Sequence, residues 1–220
     1  MATTSIVLAG GKSTRLGKDK TAELIGGASL LQRVLSRLAT FSTEIILVIA
    51  QGQAKPPHAL PPETRVIEDV FPDAGSLGGI YSGLTASSSY YNLIVACDMP
   101  FLDVSLLRYL LALSPSFDAV IPRVGGYLEP LHAVYSKDCL TPIRNLLEQD
   151  NHKIIDFLPQ IKVRYVEEEE VNRFDPEHLS FLNINTQENL DRARRLVLSG
   201  TPLFAGSGNI IEAKRGVHRQ

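Results

Sequence analysis

What most limits the folds open to this chain is an alternation. Short apolar, β-branched runs are separated by longer segments in which apolar residues recur at helical spacing. The runs Ile45-Ile46-Leu47-Val48-Ile49 and Leu93-Ile94-Val95-Ala96 have no polar face, as expected of strands covered on both sides. Between the first two runs, Leu30, Leu31, Val34, Leu35 and Leu38 share one helical face, while Arg33 and Arg37 fall on another. Strand, helix and second buried strand make a parallel crossover, and its repetition predicts an α/β fold around a mainly parallel sheet. Strands are expected at residues 5–9, 44–50, 65–68, 91–97, 118–121, 128–135, 161–166 and 181–185, with 128–135 the candidate for an antiparallel member. Helices are expected at 77–86, 104–113, 137–149 and 187–198, with Asp103 and Asn185 as N-caps of two of them. The run Glu167 to Glu170 reads as a solvated loop or strand end, because adjacent like charges resist burial.

Residues 1–200 suffice for one domain. After Gly200 the periodicity fades, so 201–220 is read as a C-terminal appendage. Lys and Arg number 22 against 24 Asp and Glu, so no overall positive field draws the chain to nucleic acid or anionic lipid, and any anion site must be local. Cys97 and Cys139 have no CxxC spacing and are read as reduced core residues rather than a disulfide or zinc pair. The five histidines form no HxxxH pair and are read as surface or packing residues. No stretch approaches the length of a membrane span and the N-terminus has no basic leader, so a cytoplasmic protein is expected.

The chemistry concentrates after the first strand, in the stretch LAGGKSTRLGKDK over residues 8–20, which holds three glycines and four cations. Glycine allows backbone N–H groups to converge on phosphate oxygens, and Gly10 and Gly11 are placed to do so. Arg15 and Lys20 are read as the neutralising cations; one such pair at about 4 Å is worth roughly 4 kcal/mol before desolvation. Gly11-Lys12-Ser13 mimics the end of a P-loop, but the first glycine of GxxxxGK[ST] would fall on Ile6, inside the apolar strand. Farther on, the run ending at Cys97 stops at Asp98-Met99-Pro100. That puts a carboxylate at the carboxyl end of a buried strand, where open α/β sheets bind ligands and where a hard oxygen suits Mg²⁺. Asp103 is the better helix cap, which leaves Asp98 for this duty. Asp69 closes the run 65–68 and reads either as a contact to base or ribose or as a turn aspartate before Phe71-Pro72.

The loop resembles the LAGGxSxRMGxDK pattern of the MobA family, the molybdenum cofactor guanylyltransferases, with Leu16 where methionine is usual. Further segments are similar to the family in the same order: Val66-Ile67-Glu68-Asp69, Gly75-Ser76-Leu77-Gly78-Gly79-Ile80, Cys97-Asp98-Met99-Pro100, Glu129-Pro130-Leu131 and Asn183-Ile184-Asn185-Thr186. Ser76 departs from the usual proline. The resemblance implies a Rossmann-like three-layer α/β domain with a mainly parallel mixed sheet. It also implies transfer of GMP from GTP to the terminal phosphate of Mo-molybdopterin, with release of pyrophosphate. Carried over residue by residue, Leu8, Ala9, Gly10 and Lys20 would bind GTP, Asp69 would contact the nucleoside, and Asp98 would hold Mg²⁺. Asn183 would lie toward the pterin, and transient contact with proteins that supply or receive the molybdenum cofactor is implied. The first loop alone fits the wider nucleotidyltransferase superfamily, so a cytidylyltransferase acting on molybdopterin and a sugar-phosphate nucleotidyltransferase stay open as alternatives.

Overall fold

The computed structural model describes residues 3–10 and 24–199. Gly11, Arg15 and Lys20 of the glycine-rich loop, and the appendage at 201–220, lie outside the described residues. The chain begins with β1 (Thr4–Leu8), followed by the small hairpin of β2 (Leu24–Ile25) and β3 (Ala28–Ser29), then α1 (Leu30–Leu38) and β4 (Glu44–Ile49). Next come β5 (Thr64–Glu68), α2 (Gly75–Ala86), β6 (Tyr91–Ala96) and α3 (Val104–Leu113). The second half adds β7 (Ala119–Val124), β8 (Tyr127–Leu128), β9 (His132–Ser136), α4 (Leu140–Glu148), β10 (Val163–Val166), the one-turn α5 (Glu168–Val171) and α6 (Gln187–Leu198).

The main sheet runs β10-β7-β9-β6-β1-β4-β5, with β8 added to β7. All pairings along it are parallel except those of β9 with β6 and β7 and of β8 with β7. This is the mixed, mainly parallel three-layer sheet the sequence predicts. Its central strands are apolar because both faces are covered: α1 and α3 bury Val34, Leu35, Leu106 and Leu107 against one side, and α2 and α4 bury Leu77, Ile80, Ile143 and Leu146 against the other. From β1 the chain steps outward through β4 to β5, then returns to the opposite side of β1 as β6. That reversal opens a crevice at the carboxyl ends of these strands.

Local chemistry sets the boundaries. Ser29 and Gln32 form a reciprocal capping box that starts α1, and Asp103 caps α3 through Leu106 N–H at 2.7 Å, as expected. Four expectations need correction. Residues 128–135 are two strands, because Pro130 lacks the N–H that would carry the ladder through; both pieces are antiparallel. Residues 181–185 form no strand: β6, whose end they cross, already pairs β1 on one side and β9 on the other and has no free edge to offer them. They follow a 3₁₀ turn (Leu179–Phe181) and run across the end of β6 instead. The cap of α6 is Thr186, whose hydroxyl accepts from Asn189 N–H, and not Asn185. The acidic run begins α5, where carboxylates favour the positive end of a helix; Glu170 pairs with Arg164 at 2.8 Å and accepts from the Tyr109 hydroxyl at 2.6 Å.

Neither cysteine is in a disulfide; Cys139 is buried and Cys97 half-buried at the crevice rim. Among the histidines, His132 is a packing residue: it is fully buried against the Phe181 ring, and burial holds its pKa down at about 3. Among the described residues no helix is long and apolar enough to cross a membrane.

Candidate active site

Strand register decides which sequence features meet. Leu8 is paired with Val48 on one side and Ala96 on the other, and Ile49 with Glu68, so four strands end together. Ala9 and Gly10 therefore leave the sheet on the same rim as Asp98, which follows β6, and Asp69, which follows β5. Backbone bonds tie these exits together: Ala9 N–H donates to Val48 C=O at 2.8 Å, Cys97 N–H to Leu8 C=O at 3.1 Å and Asp69 N–H to Ile49 C=O at 2.8 Å. From β5 to β6 is three inter-strand steps, about 14 Å, so the two aspartates bracket the exit of the glycine-rich loop.

A cavity of about 910 Å³ opens between Gly10 and Asp69, lined by Ala50, Gln53, Asp73 and Gly75 among others. That volume suits a nucleoside-sized ligand. Gly10 is glycine because the backbone passes so close to β4 that a Cβ would sit 2.9 Å from Ala50 N. Asp69 shows the turn reading and also lines the cavity. Its Oδ1 accepts from Phe71 N–H at 2.9 Å, the turn duty, and from the Ser82 hydroxyl at 2.8 Å. Oδ2 lies over Gly78, where a Cβ would stand 2.9 Å away, so the glycine makes room for the carboxylate. The fixed Oδ1 sets the direction in which Oδ2 is presented.

Two features of this rim escape sequence reasoning. Ser82, which aims Asp69, lies thirteen residues downstream and has no local signal. Gly79 and Gly83 prove to be packing glycines, which let α2 lie directly on Leu8 and Ile6 of β1; their spacing of four on one helix was the available sign. Within the segment 75–79, Gly75, with φ +62° and open space around it, is the glycine that lines the cavity.

On the other side of Asp98 stands Glu129, at the turn into β9, whose backbone N–H donates to Pro122 C=O and whose C=O accepts from His132 N–H. Burial alone pushes its carboxyl up to about 7 from the usual 4.5. Folding favours its neutral form, so its stabilising contribution is complete below about pH 4.5 and is lost as pH rises through about 7. Glu129→Gln, fixed neutral, should gain stability over the parent across that window, by about 2 kcal/mol once partial exposure is allowed for. Denaturant titrations at a series of pH values read the difference. Parallel curves for the two proteins would mean that the carboxyl is hydrated in solution.

A family model described as the MobA-like NTP transferase domain matches residues 5–163 of this chain. The chain belongs to this family. Among relatives of the MobA-like chain, a probable molybdenum cofactor guanylyltransferase of Pelotomaculum thermopropionicum is 37% identical over 191 residues, covering 87% of this chain and 91% of that protein. The molybdenum cofactor guanylyltransferase of Syntrophotalea carbinolica is 36% identical over 196 residues, covering 87% and 90%. The crystal structure of molybdopterin-guanine dinucleotide biosynthesis protein A from Archaeoglobus fulgidus superposes with a TM-score of 0.75 at 28% identity, covering 89% of this chain and 99% of that one. A Thermus thermophilus cytidylyltransferase of 2-C-methyl-D-erythritol 4-phosphate also shares the MobA-like fold, with a TM-score of 0.67, but at 18% identity this likeness extends to the fold alone.

Proposed function

We propose that this chain transfers GMP from GTP to the terminal phosphate of Mo-molybdopterin, releasing pyrophosphate and forming the guanine dinucleotide cofactor in the cytoplasm. The observation that carries the reading is the common rim: the exit of the glycine-rich loop, Asp69 and Asp98 stand at adjoining strand ends in a chain 36% and 37% identical to guanylyltransferases over most of its length. The guanine nucleoside lies in the cavity beside Asp69 and Gln53, and the triphosphate runs along the backbone from Leu8 through Ala9 and Gly10 toward Asp98. Gly11, Arg15 and Lys20 complete the phosphate grip from the segment outside the described residues.

Asp98 holds a divalent cation, Mg²⁺. Among the described residues no cluster of three or more His, Cys, Asp or Glu side chains could hold a metal. A single carboxylate supplemented by phosphate oxygens and water fits Mg²⁺, which keeps much of its own hydration. When bound, the ion supplies positive charge to the phosphate oxygens in the transition state. The chain's own residues orient the reactants. An oxygen of the acceptor phosphate forms the new bond to the α-phosphorus of GTP as the bond to pyrophosphate breaks. The attacking phosphate is largely ionised at neutral pH, so no general base is needed and positioning dominates. The acceptor approaches from beyond β6, where the segment carrying Asn183 and Asn185 crosses the strand end.

Purified protein given Mg²⁺, Mo-molybdopterin and each of the four nucleoside triphosphates in turn should form pyrophosphate and a pterin dinucleotide with GTP, at least about 100-fold faster than with CTP. Turnover with CTP in preference would make it a cytidylyltransferase, and turnover only with sugar phosphates would move it to another branch of the superfamily.

A further inference from the structure

Between the acceptor side of the rim and helix α3 lies a polar network that none of the recognised sequence segments contains. Asp175 is only 3% exposed, yet its two carboxylate oxygens are filled by backbone: Oδ1 accepts from Leu179 N–H at 2.9 Å and Oδ2 from Ser180 N–H at 2.7 Å. Ser180, fully buried, accepts at its hydroxyl from Asp103 N–H at 2.9 Å, and Asp103 caps α3. One carboxylate and one hydroxyl thus fasten the turn Leu179–Phe181 to the start of the helix that follows Asp98 by a few residues.

The same turn leads directly to the acceptor segment. Ile184 N–H donates to the backbone C=O of Asp98 at 2.9 Å, and its side chain is buried with Phe101 and Leu190. In extended chain neighbours point oppositely, so an inward Ile184 leaves the half-exposed Asn183 and Asn185 on the outer side. From the far end, Asn189 Nδ2 donates to Asn183 C=O at 2.7 Å. The segment is fastened upstream at the turn Leu179–Phe181, and the peptide joining Asn183 to Ile184 is held on both sides, its C=O by Asn189 and its N–H by the Asp98 carbonyl. A buried carboxylate costs several kcal/mol of desolvation, which an apolar residue of similar size would avoid, so packing alone does not account for Asp175. Holding two successive N–H groups in a tight turn does.

We infer that Asp175 and Asn189 are positioning residues for the acceptor: they set where Asn183 and Asn185 stand relative to Asp98, and so where the pterin phosphate meets the α-phosphorus. The inference rests on the guanylyltransferase reading and deepens it. The nucleotide is held from β1, β4 and β5 on the other side of Asp98, so displacing the clamp should disturb one substrate and spare the other.

Two full-length variants test this. Asp175→Asn keeps the volume but turns one acceptor oxygen into an NH₂ facing a backbone N–H. Asn189→Ala removes the half-buried outer clamp, its bond to Asn183 C=O together with a 3.5 Å bond to Asn185 Oδ1, and carries the decision should Asp175→Asn lose its fold by circular dichroism. For each, KM for Mo-molybdopterin, kcat and the Kd for GTP are measured separately, with wild-type transfer as the reference that tests the underlying reading. The expected result is a rise of about ten-fold or more in acceptor KM, with GTP affinity within about two-fold of wild type. Asn189→Asp, which loses the donor but keeps the shape, should behave like Asn189→Ala, whereas Asn189→Gln should recover part of the loss. Unchanged acceptor KM, or equal weakening of both substrates, would overturn the positioning role and leave the guanylyltransferase reading standing. No pterin dinucleotide from the wild-type protein would overturn that reading itself.

Discussion

Asp98→Ala is expected to lower GMP transfer by about 10³-fold while the protein still folds. The size follows from the role proposed for its carboxylate, holding a cation against phosphate charge, an electrostatic contribution of the order lost with a single transition-state donor. The bond from Ile184 N–H to the backbone C=O of Asp98, which ties two segments together, survives the change because alanine keeps that carbonyl. Asp98→Asn, of equal size without the charge, should be nearly as inactive, and the Mg²⁺ concentration giving half-maximal rate should rise in any residual activity. Activity within a few-fold of wild type at saturating Mg²⁺ would take Asp98 out of the mechanism.

Gly83→Val is expected to destabilise the protein by about 3 kcal/mol, and to lower Tm by about 10 °C for a chain of this size. A Cβ at this position would lie 2.4 Å from Ile6 Cγ2, and Ile6 is fully buried in the middle of β1 with neighbours on every side. Alanine elsewhere in a helix interior gains about 1 kcal/mol over glycine; here the gain is outweighed because α2 must withdraw from the sheet. The withdrawal carries Ser82 with it, and Ser82 aims Asp69, so GTP affinity should fall alongside Tm. Differential scanning calorimetry with a GTP titration reads both. A Tm equal to wild type would show that α2 does not lie against β1 as described.

How much of this was legible beforehand depends on the range of the interaction concerned. The buried strands β4 and β6 and the helix α1 were readable because apolar runs and the spacing of Leu30 to Leu38 are local patterns that burial rewards directly. Asp103 as a cap was readable for the same reason. Asn185 as a cap was not, since Thr186, one residue later, offers a hydroxyl with the same reach. The failure at 181–185 was of another kind. The residues look like a strand, but strand formation needs a free edge, and β9 had already taken it from β6.

The candidate site divides the same way. Asp69, Asp98 and the loop at 8–20 stand out in sequence because charge and glycine beside an apolar strand are conspicuous. Ser82, Gly78 and Asp175 do not, because their duties are toward residues far along the chain or toward backbone N–H groups that carry no residue identity. The sequence by itself determined most of the strands, including the buried ones, which carboxylates end them and that the whole is a layered α/β domain, since each of these follows from chemistry within a few neighbouring residues. Only the tertiary structure decided that β1 lies between β4 and β6, that Asp69 and Asp98 flank one loop exit, and that the chain near Asn183 returns across Asp98. Strand order and crossing points are fixed by packing between distant segments, which local periodicity does not encode.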